Sequence, residues 1–150
     1  MSIDLAIPEW LRLYILAWCD RLHLNDWTIK VAIELCVDDD PNTLALCAQH
    51  PDHNQATITF RADVADELDW RRTVIHELIH VAHSRIDHAF ERAILPELAE
   101  PAQQLARGIY HQHVESYTAW LANTLYRATV GVDYPESDAE APPTQEANEL

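Results

Sequence analysis

Basic residues are scarce in this chain of 150 residues. Lys and Arg together number 10 against 25 Asp and Glu, so the net charge is −15. Nucleic-acid-binding surfaces use clustered Lys and Arg to displace counterions from phosphates. The charge balance therefore argues against a nucleic-acid partner.

Long apolar runs and cysteines are also few. The longest apolar run, Leu13 to Cys19, has seven residues, whereas a membrane-spanning helix needs about 18. The start of the chain, Met1-Ser2-Ile3-Asp4, lacks the basic segment of a secretory signal, and 3 cysteines do not suggest a disulfide scaffold. Since 48% of the residues are hydrophobic, global disorder is not expected either. We expect a soluble, acidic, cytoplasmic protein without a membrane segment.

The spacing of apolar residues predicts the elements of the first half of the chain. Apolar residues at helical spacing follow Pro8 and predict a first helix that ends near Leu22. Alternating apolar residues then predict three short strands, around 29–37, 44–48 and 56–60. Because clusters of turn residues join them, we expect a three-stranded antiparallel meander.

Helical spacing returns after the predicted strands. One helix is predicted from about Asp66 to Ile86, and a long one from Pro101 to near Thr129. Strands followed by helices that segregate from them are typical of the α+β class.

The last segment, 132–150, differs in composition from the rest. It is rich in acids and prolines and contains neither Lys nor Arg, a composition that predicts disorder. We therefore expect one folded domain over 1–131, followed by an acidic, disordered tail.

The second predicted helix contains the motif His76-Glu77-Leu78-Ile79-His80. Residues four apart on a helix differ by only about 40° in direction, so the two histidines project from one face. Two imidazoles placed in this way can bind one Zn²⁺. Glu77 lies about 100° around the helix from His76. It is therefore outside the ligand pair but within reach of a water on the metal, whose proton it can accept.

The remainder of this helix supports a metal site. Its apolar arc comprises Val74, Ile75, Leu78, Ile79, Val81, Ala82 and Ile86, and the opposite face carries His76, His80, His83 and Asp87. A histidine that merely packs in the core would lie inside the apolar arc, and these do not. The sequence thus favours a helix with one face in the core and a row of metal-binding side chains on the other.

The motif and the order of the elements resemble a minimal zincin, a single-domain HExxH zinc metallopeptidase of the gluzincin type. The chain is similar in particular to small phage and prophage metallopeptidases, whose later helix has the pattern E-x5-L-A-x2-L. The matching positions are Glu115, Leu121, Ala122 and Leu125. In gluzincins a glutamate on the downstream helix is the third zinc ligand, and the resemblance assigns that role to Glu115.

The same resemblance implies a zinc peptidase that acts on a protein or peptide, with Glu77 as general base. In zincins the substrate lies antiparallel along an edge strand above the motif helix. By order along the chain, the counterpart of that strand is Ala56 to Arg61. Larger gluzincins often have an acid four residues after the ligand glutamate, where this chain has Ala119. Asp87 is a candidate for that acid's role of orienting a ligand histidine.

The residues alone leave the third ligand open. Glu115 has small neighbours, Thr118, Ala119 and Ala122, which would let another helix approach. His111 lies one turn before it on the same face, and His113 lies in an apolar arc. That arc comprises Leu105, Ile109, Tyr117, Trp120 and Leu121. Either histidine is an alternative ligand, although a core position is expected for His113.

A second interpretation is a zincin-like binding or regulatory protein whose metal is structural or non-catalytic. The alanine at position 119 and the lack of a recognisable specificity pocket motivate it. If the chain is an enzyme, Tyr110 and Tyr117 are candidates for stabilising the oxyanion of the transition state.

Overall fold

The computed structural model describes residues 7–35, 37, 43–62 and 67–129. Within them the elements are α1 (Glu9–Arg21), β1 (Thr28–Glu34), β2 (Ala45–His50), β3 (Gln55–Arg61), α2 (Glu67–Ala89) and α3 (Glu100–Thr129). The predicted α+β class is confirmed, and the helices begin and end close to their predicted positions. The predicted tail, 132–150, lies outside the described residues.

The sheet is mixed, so the predicted antiparallel meander is wrong. Its strand order is β1-β3-β2, with β1 parallel and β2 antiparallel to β3. Alternation identifies strands but contains no information about which of them pair or in which direction. The central strand β3 buries Ala56, Ile58 and Phe60, whereas no residue of β2 is fully buried.

One face of the sheet packs against the helices. Its buried side chains are Ile29, Val31, Ala56, Ile58 and Phe60; those of α1 and α2 facing them include Leu11, Ile15, Trp18, Val74, Ile75, Leu78 and Ile79. Burying one such large side chain contributes about 1.5–3 kcal/mol to stability. The apolar arc predicted for α2 is confirmed at these positions, while Ile86, at its end, is 63% exposed.

α3 packs against α2 through small side chains. Its buried residues are Thr118 and Ala122, which let two helix backbones approach closely. Most of the apolar arc predicted for α3 is exposed to 48–66% (Leu105, Ile109, Tyr117 and Trp120), and only its last residue, Leu121, packs against the core. His113 is also exposed, so its predicted core position is wrong. The face with the small residues, next to Glu115, makes the helix contact instead.

The connection between α2 and α3 keeps the two helices together. A π-helical turn, Phe90–Ile94, and a 3-10 turn, Leu95–Glu97, join them. Across the connection, the ring of Tyr110 stacks on that of Phe90 with centroids 4.0 Å apart. The middle of α3 therefore lies beside the half of α2 that carries the motif. Among the helices the structure describes, none has the length and apolarity that crossing a membrane requires.

Candidate metal centre

Three predicted ligands from two helices converge at one point. His76 and His80 project from α2, and Glu115 projects towards them from α3. One ligand atom of each lies within 4.8 Å of the others. This cluster is the one group of metal-binding side chains found among the described residues. The structure therefore brings together the ligand set that the resemblance implied.

The spacing of the donor atoms suits a small tetrahedral cation. The Nε2 atoms of His76 and His80 are 3.0 Å apart, and the Glu115 carboxylate oxygens lie 3.5 and 3.4 Å from them, respectively. Around Zn²⁺, with bonds of about 2.0–2.1 Å and tetrahedral angles, ligand atoms are about 3.3 Å apart. Two nitrogens and one carboxylate also match the ligand types of catalytic zinc sites. The residues present fit the metal.

The histidines are held in the neutral form that a metal requires. Burial lowers the pKa of His76, and the neighbouring His80 lowers it further. Burial is also the main influence on the pKa of His80 and lowers it, against the opposing effect of Glu115. Neutral imidazoles have a free lone pair, so little proton release need accompany metal binding near neutral pH.

Glu77 lies beside the cluster and is only 7% exposed. Burial raises its pKa to about 8, with a smaller contribution from the charge of Glu115. A carboxyl group with a pKa close to neutrality can both accept and return a proton under ordinary conditions. Its position and its pKa therefore suit general acid–base chemistry at the cluster.

A groove crosses the cluster between α3 and the edge strand β2, with α2 as its floor. Two cavities form it, and both are lined by His76, Glu77 and Glu115. One, of about 440 Å³, also contains Asp87 and is called the Asp87 cavity below. The other, of about 500 Å³, contains Arg72 and is called the Arg72 cavity. The reactive side chains are thus accessible from both sides.

The strand beside the cluster is β2, so the assignment of the substrate strand to Ala56 to Arg61 is wrong. Those residues belong to β3, which pairs on both sides. In β2, Ala45, Cys47 and Gln49 point towards the helices and line the groove. The backbone amide of Arg61 donates to the carbonyl of Leu44. By alternation along an antiparallel ladder, the amides and carbonyls of the groove-lining residues of β2 therefore point away from β3, towards the free edge.

Asp87 and Tyr110 form a fixed pair in the Asp87 cavity. The Tyr110 hydroxyl donates to Oδ1 of Asp87 at 2.7 Å. Burial and this bond raise the pKa of Tyr110, which keeps the hydroxyl protonated. No hydrogen bond between Asp87 and a ligand histidine is found, so the structure gives Asp87 a tyrosine partner instead of the predicted histidine.

The other predicted residues lie around the cluster without joining it. His111 lines the Asp87 cavity and is 4.0 Å from Glu91, and His113 is exposed. The ring of His83 stacks on Tyr117 at 5.8 Å, outside the groove. Of the two tyrosines proposed for the oxyanion, Tyr110 lines the groove and Tyr117 does not.

Sequence reasoning missed the contribution of β2 and of the first turns of α2. Cys47 lines the groove, and burial followed by the charge of Glu77 raises the pKa of its thiol to about 12, so it stays protonated. Arg72 lies one helical turn before His76, a spacing that indicated its side of the helix. No protein-family model, curated protein or solved structure matches this chain.

Proposed function

We propose that this protein is a zinc-dependent peptidase, with His76, His80 and Glu115 as the metal ligands. One observation carries the proposal: the three donors converge at the floor of an open groove, with the buried Glu77 beside them. Three protein ligands leave a fourth position open, as in catalytic zinc sites, whereas structural sites use four. The resemblance of the motif and of the pattern after Glu115 to gluzincins supports the same conclusion.

The roles of the residues follow from their positions. Zn²⁺ held here would activate a water molecule and polarise the carbonyl of the scissile peptide bond. Glu77 accepts the proton of the water and then donates it to the leaving amine. The packing of α3 on α2 positions the carboxylate of Glu115 beside the neutral imidazoles of His76 and His80.

The edge of β2 is the proposed position of the substrate backbone. The amides and carbonyls of its groove-lining residues point towards the free edge of the sheet, where an extended peptide can add as a further strand. Such an addition would place a peptide bond over the cluster, between the two cavities. Accordingly, the proposed substrate is a protein segment or peptide in extended conformation.

Zinc content and cleavage together test the proposal. Purified protein is expected to contain one zinc per chain by elemental analysis and to cleave members of a mixed peptide library, detected by mass spectrometry. Glu77→Gln should retain the zinc and lose cleavage, because it lacks the base but none of the ligands. Cleavage that persists in this variant would overturn the mechanism.

The same measurements distinguish the peptidase from a binding protein with a non-catalytic metal. Stoichiometric zinc in a protein that cleaves no peptide of the library would favour the binding protein. Absence of zinc from protein purified without chelators, and failure to take it up, would reject both.

A further inference from the structure

The direction of β2 gives the groove a direction too. Thr43 and Leu44, just before its first position, line the Arg72 cavity, Ala45 lines both cavities, and Gln49, near its end, lines the Asp87 cavity. A peptide that adds antiparallel to β2 runs the opposite way. The residues on the amino side of its scissile bond then occupy the Asp87 cavity, and those on the carboxyl side occupy the Arg72 cavity.

The two cavities differ in charge. Among the described residues and apart from the cluster and Glu77, Asp87 is the acid that lines its cavity, and no Lys or Arg side chain lines it. In the other cavity one acid, Asp69, is matched by one base, Arg72. No carboxylate of the described residues pairs with Arg72, whose guanidinium lies over the ring of Tyr126 at 5.2 Å from its centroid. Apart from the side chains that the two cavities share, the described lining is therefore negative at one end of the groove and neutral at the other.

One oxygen of the Asp87 carboxylate accepts a hydrogen bond that holds the side chain in place, and the other oxygen can accept a further one. Its Oδ1 accepts the Tyr110 hydroxyl, and that ring is fixed by its stack on Phe90. Among the described residues, no second donor bonds to this carboxylate. A carboxylate already oriented by one hydrogen bond can accept another from an ammonium or guanidinium group with little further loss of side-chain freedom.

We propose that the Asp87 cavity is the subsite for a cationic group on the amino side of the scissile bond: a Lys or Arg side chain or a free α-amine. This inference rests on the proposed peptidase function. It assigns to Asp87 a role in substrate choice, and to Tyr110 the role of positioning Asp87.

Peptide hydroxamates test the inference without catalysis. A hydroxamate at the carboxyl end of a peptide binds the metal and so places the whole peptide on the amino side of the cluster. The probes are acetyl-Ala-Lys-Lys-hydroxamate and acetyl-Ala-Glu-Glu-hydroxamate, titrated calorimetrically into the zinc-loaded protein. We expect the Lys probe to bind about tenfold more tightly, the effect of one or two partly exposed charge pairs.

Two variants separate a specific subsite from the general attraction of an acidic protein for cations. Asp87→Asn removes the charge but keeps the size, and should reduce the Lys preference to about threefold or less. Asp69→Asn removes one charge from the opposite cavity and should leave the preference unchanged. The hydroxyl of Thr73 bonds to the backbone carbonyl of Asp69, not to its carboxylate, so this control breaks no side-chain hydrogen bond or ion pair found among the described residues.

The possible outcomes distinguish a failure of the proposed subsite from a failure of the proposed peptidase function. Zinc uptake with equal affinity for both probes, or an undiminished Lys preference in Asp87→Asn, overturns the subsite and leaves the peptidase standing. Failure to take up zinc overturns both. A Lys preference that depends on Asp87, in a protein that cleaves no peptide, overturns the peptidase and leaves the Asp87 cavity as a binding site for cationic groups without a scissile bond to define its side.

Discussion

The buried carboxyl group of Glu77 affects the stability of the metal-free protein. Burial raises its pKa in the folded state to about 8 from a usual value of 4.5, which the unfolded chain keeps. Between these two pH values the folded state binds more protons than the unfolded state, so stability falls as the pH rises. Glu77→Gln removes this titration. We expect the metal-free variant to be more stable than wild type by roughly 2–4 kcal/mol near pH 8, and the difference to vanish below about pH 4.

Urea unfolding in the presence of a chelator, at several pH values, measures this difference. Glu97→Gln is a matched control, because it makes the same chemical change at an exposed position. The control should change the free energy of unfolding by less than about 0.5 kcal/mol at every pH. A difference for Glu77→Gln that is constant with pH would show that the carboxyl group does not titrate as described.

Substitution of Glu115 distinguishes between the ligand sets that the residues alone left open, in which the third ligand is Glu115, His111 or His113. Its carboxylate is 3.4–3.5 Å from both imidazole nitrogens, so Glu115→Ala should lower zinc affinity by at least roughly 100-fold. His113→Ala, on the same helix and exposed, should leave the affinity unchanged. Competition with a fluorescent chelator measures both values. A loss of affinity in His111→Ala, with none in Glu115→Ala, would transfer the role to the histidine.

At the scale of elements, the contact between α2 and α3 controls where Glu115 lies. Thr118 is fully buried and its hydroxyl has no hydrogen-bond partner among the described residues. Thr118→Val keeps the shape and removes the unsatisfied group, so it should stabilise the protein by about 1 kcal/mol without affecting zinc binding. Ala122→Leu overfills the same contact and should destabilise by about 1–3 kcal/mol.

Measuring zinc affinity as well as stability shows whether these variants displace α3 or only change the stability of the protein. Because the larger side chain would move α3 away from α2, Ala122→Leu should also weaken zinc binding, whereas Thr118→Val should not. Thermal unfolding and chelator competition on both variants test this. Equal zinc affinity in Ala122→Leu and wild type would show that the cluster does not depend on this contact.

Sequence reasoning was most successful for α2. Its apolar residues at a period of 3.6 predicted both the element and its buried face, and the spacing of His76 and His80 predicted that they share the other face. These features are local, because the geometry of one helix determines them. The structure confirms the burial of Val74, Ile75, Leu78 and Ile79.

The errors concern relations between elements. Apolar alternation is the same for parallel and antiparallel pairing, so the position of β2 at the edge could not be read from it. The apolar arc of α3 suggested a buried face, yet the helix buries Thr118 and Ala122 instead. Which face packs depends on the shape and area of the neighbouring element, and this information lies in distant residues such as those of α2. Glu115 was predicted as a ligand from the resemblance to gluzincins and from its small neighbours, and not from the apolar arc.

At the scale of the whole molecule, two parts of the fold differ in how much apolar surface they bury. α1, the sheet and α2 share one apolar core, to which the largest buried side chains of each contribute. α3 has 30 residues and fully buries two of them, while Leu121, Leu125 and Tyr126 are partly buried against this core. It therefore buries less of its apolar surface than α1 or α2, and the exposed salt bridge of Arg107 with Glu91 at 3.1 Å adds at most about 1 kcal/mol. A metal bound by residues of both helices would act as a crosslink between the two parts.

Hydrogen exchange should reveal this division. Opening of α3 breaks the bond of Glu115 to the metal, so bound zinc should slow amide exchange in the middle of α3 by the part of the binding free energy that Glu115 contributes. The sheet and α1 should change little unless the whole protein unfolds. With zinc at 100 times its Kd, the protection is at most about 2.7 kcal/mol, or roughly 100-fold in rate. Exchange followed by proteolysis and mass spectrometry, with and without zinc, gives the rates for each element.

In Glu115→Ala the metal would still be held by two histidines of α2, so α3 should exchange at the metal-free rate whether or not zinc is present. Slowing of α3 by zinc in that variant would mean that the helix is held by something other than the proposed ligand.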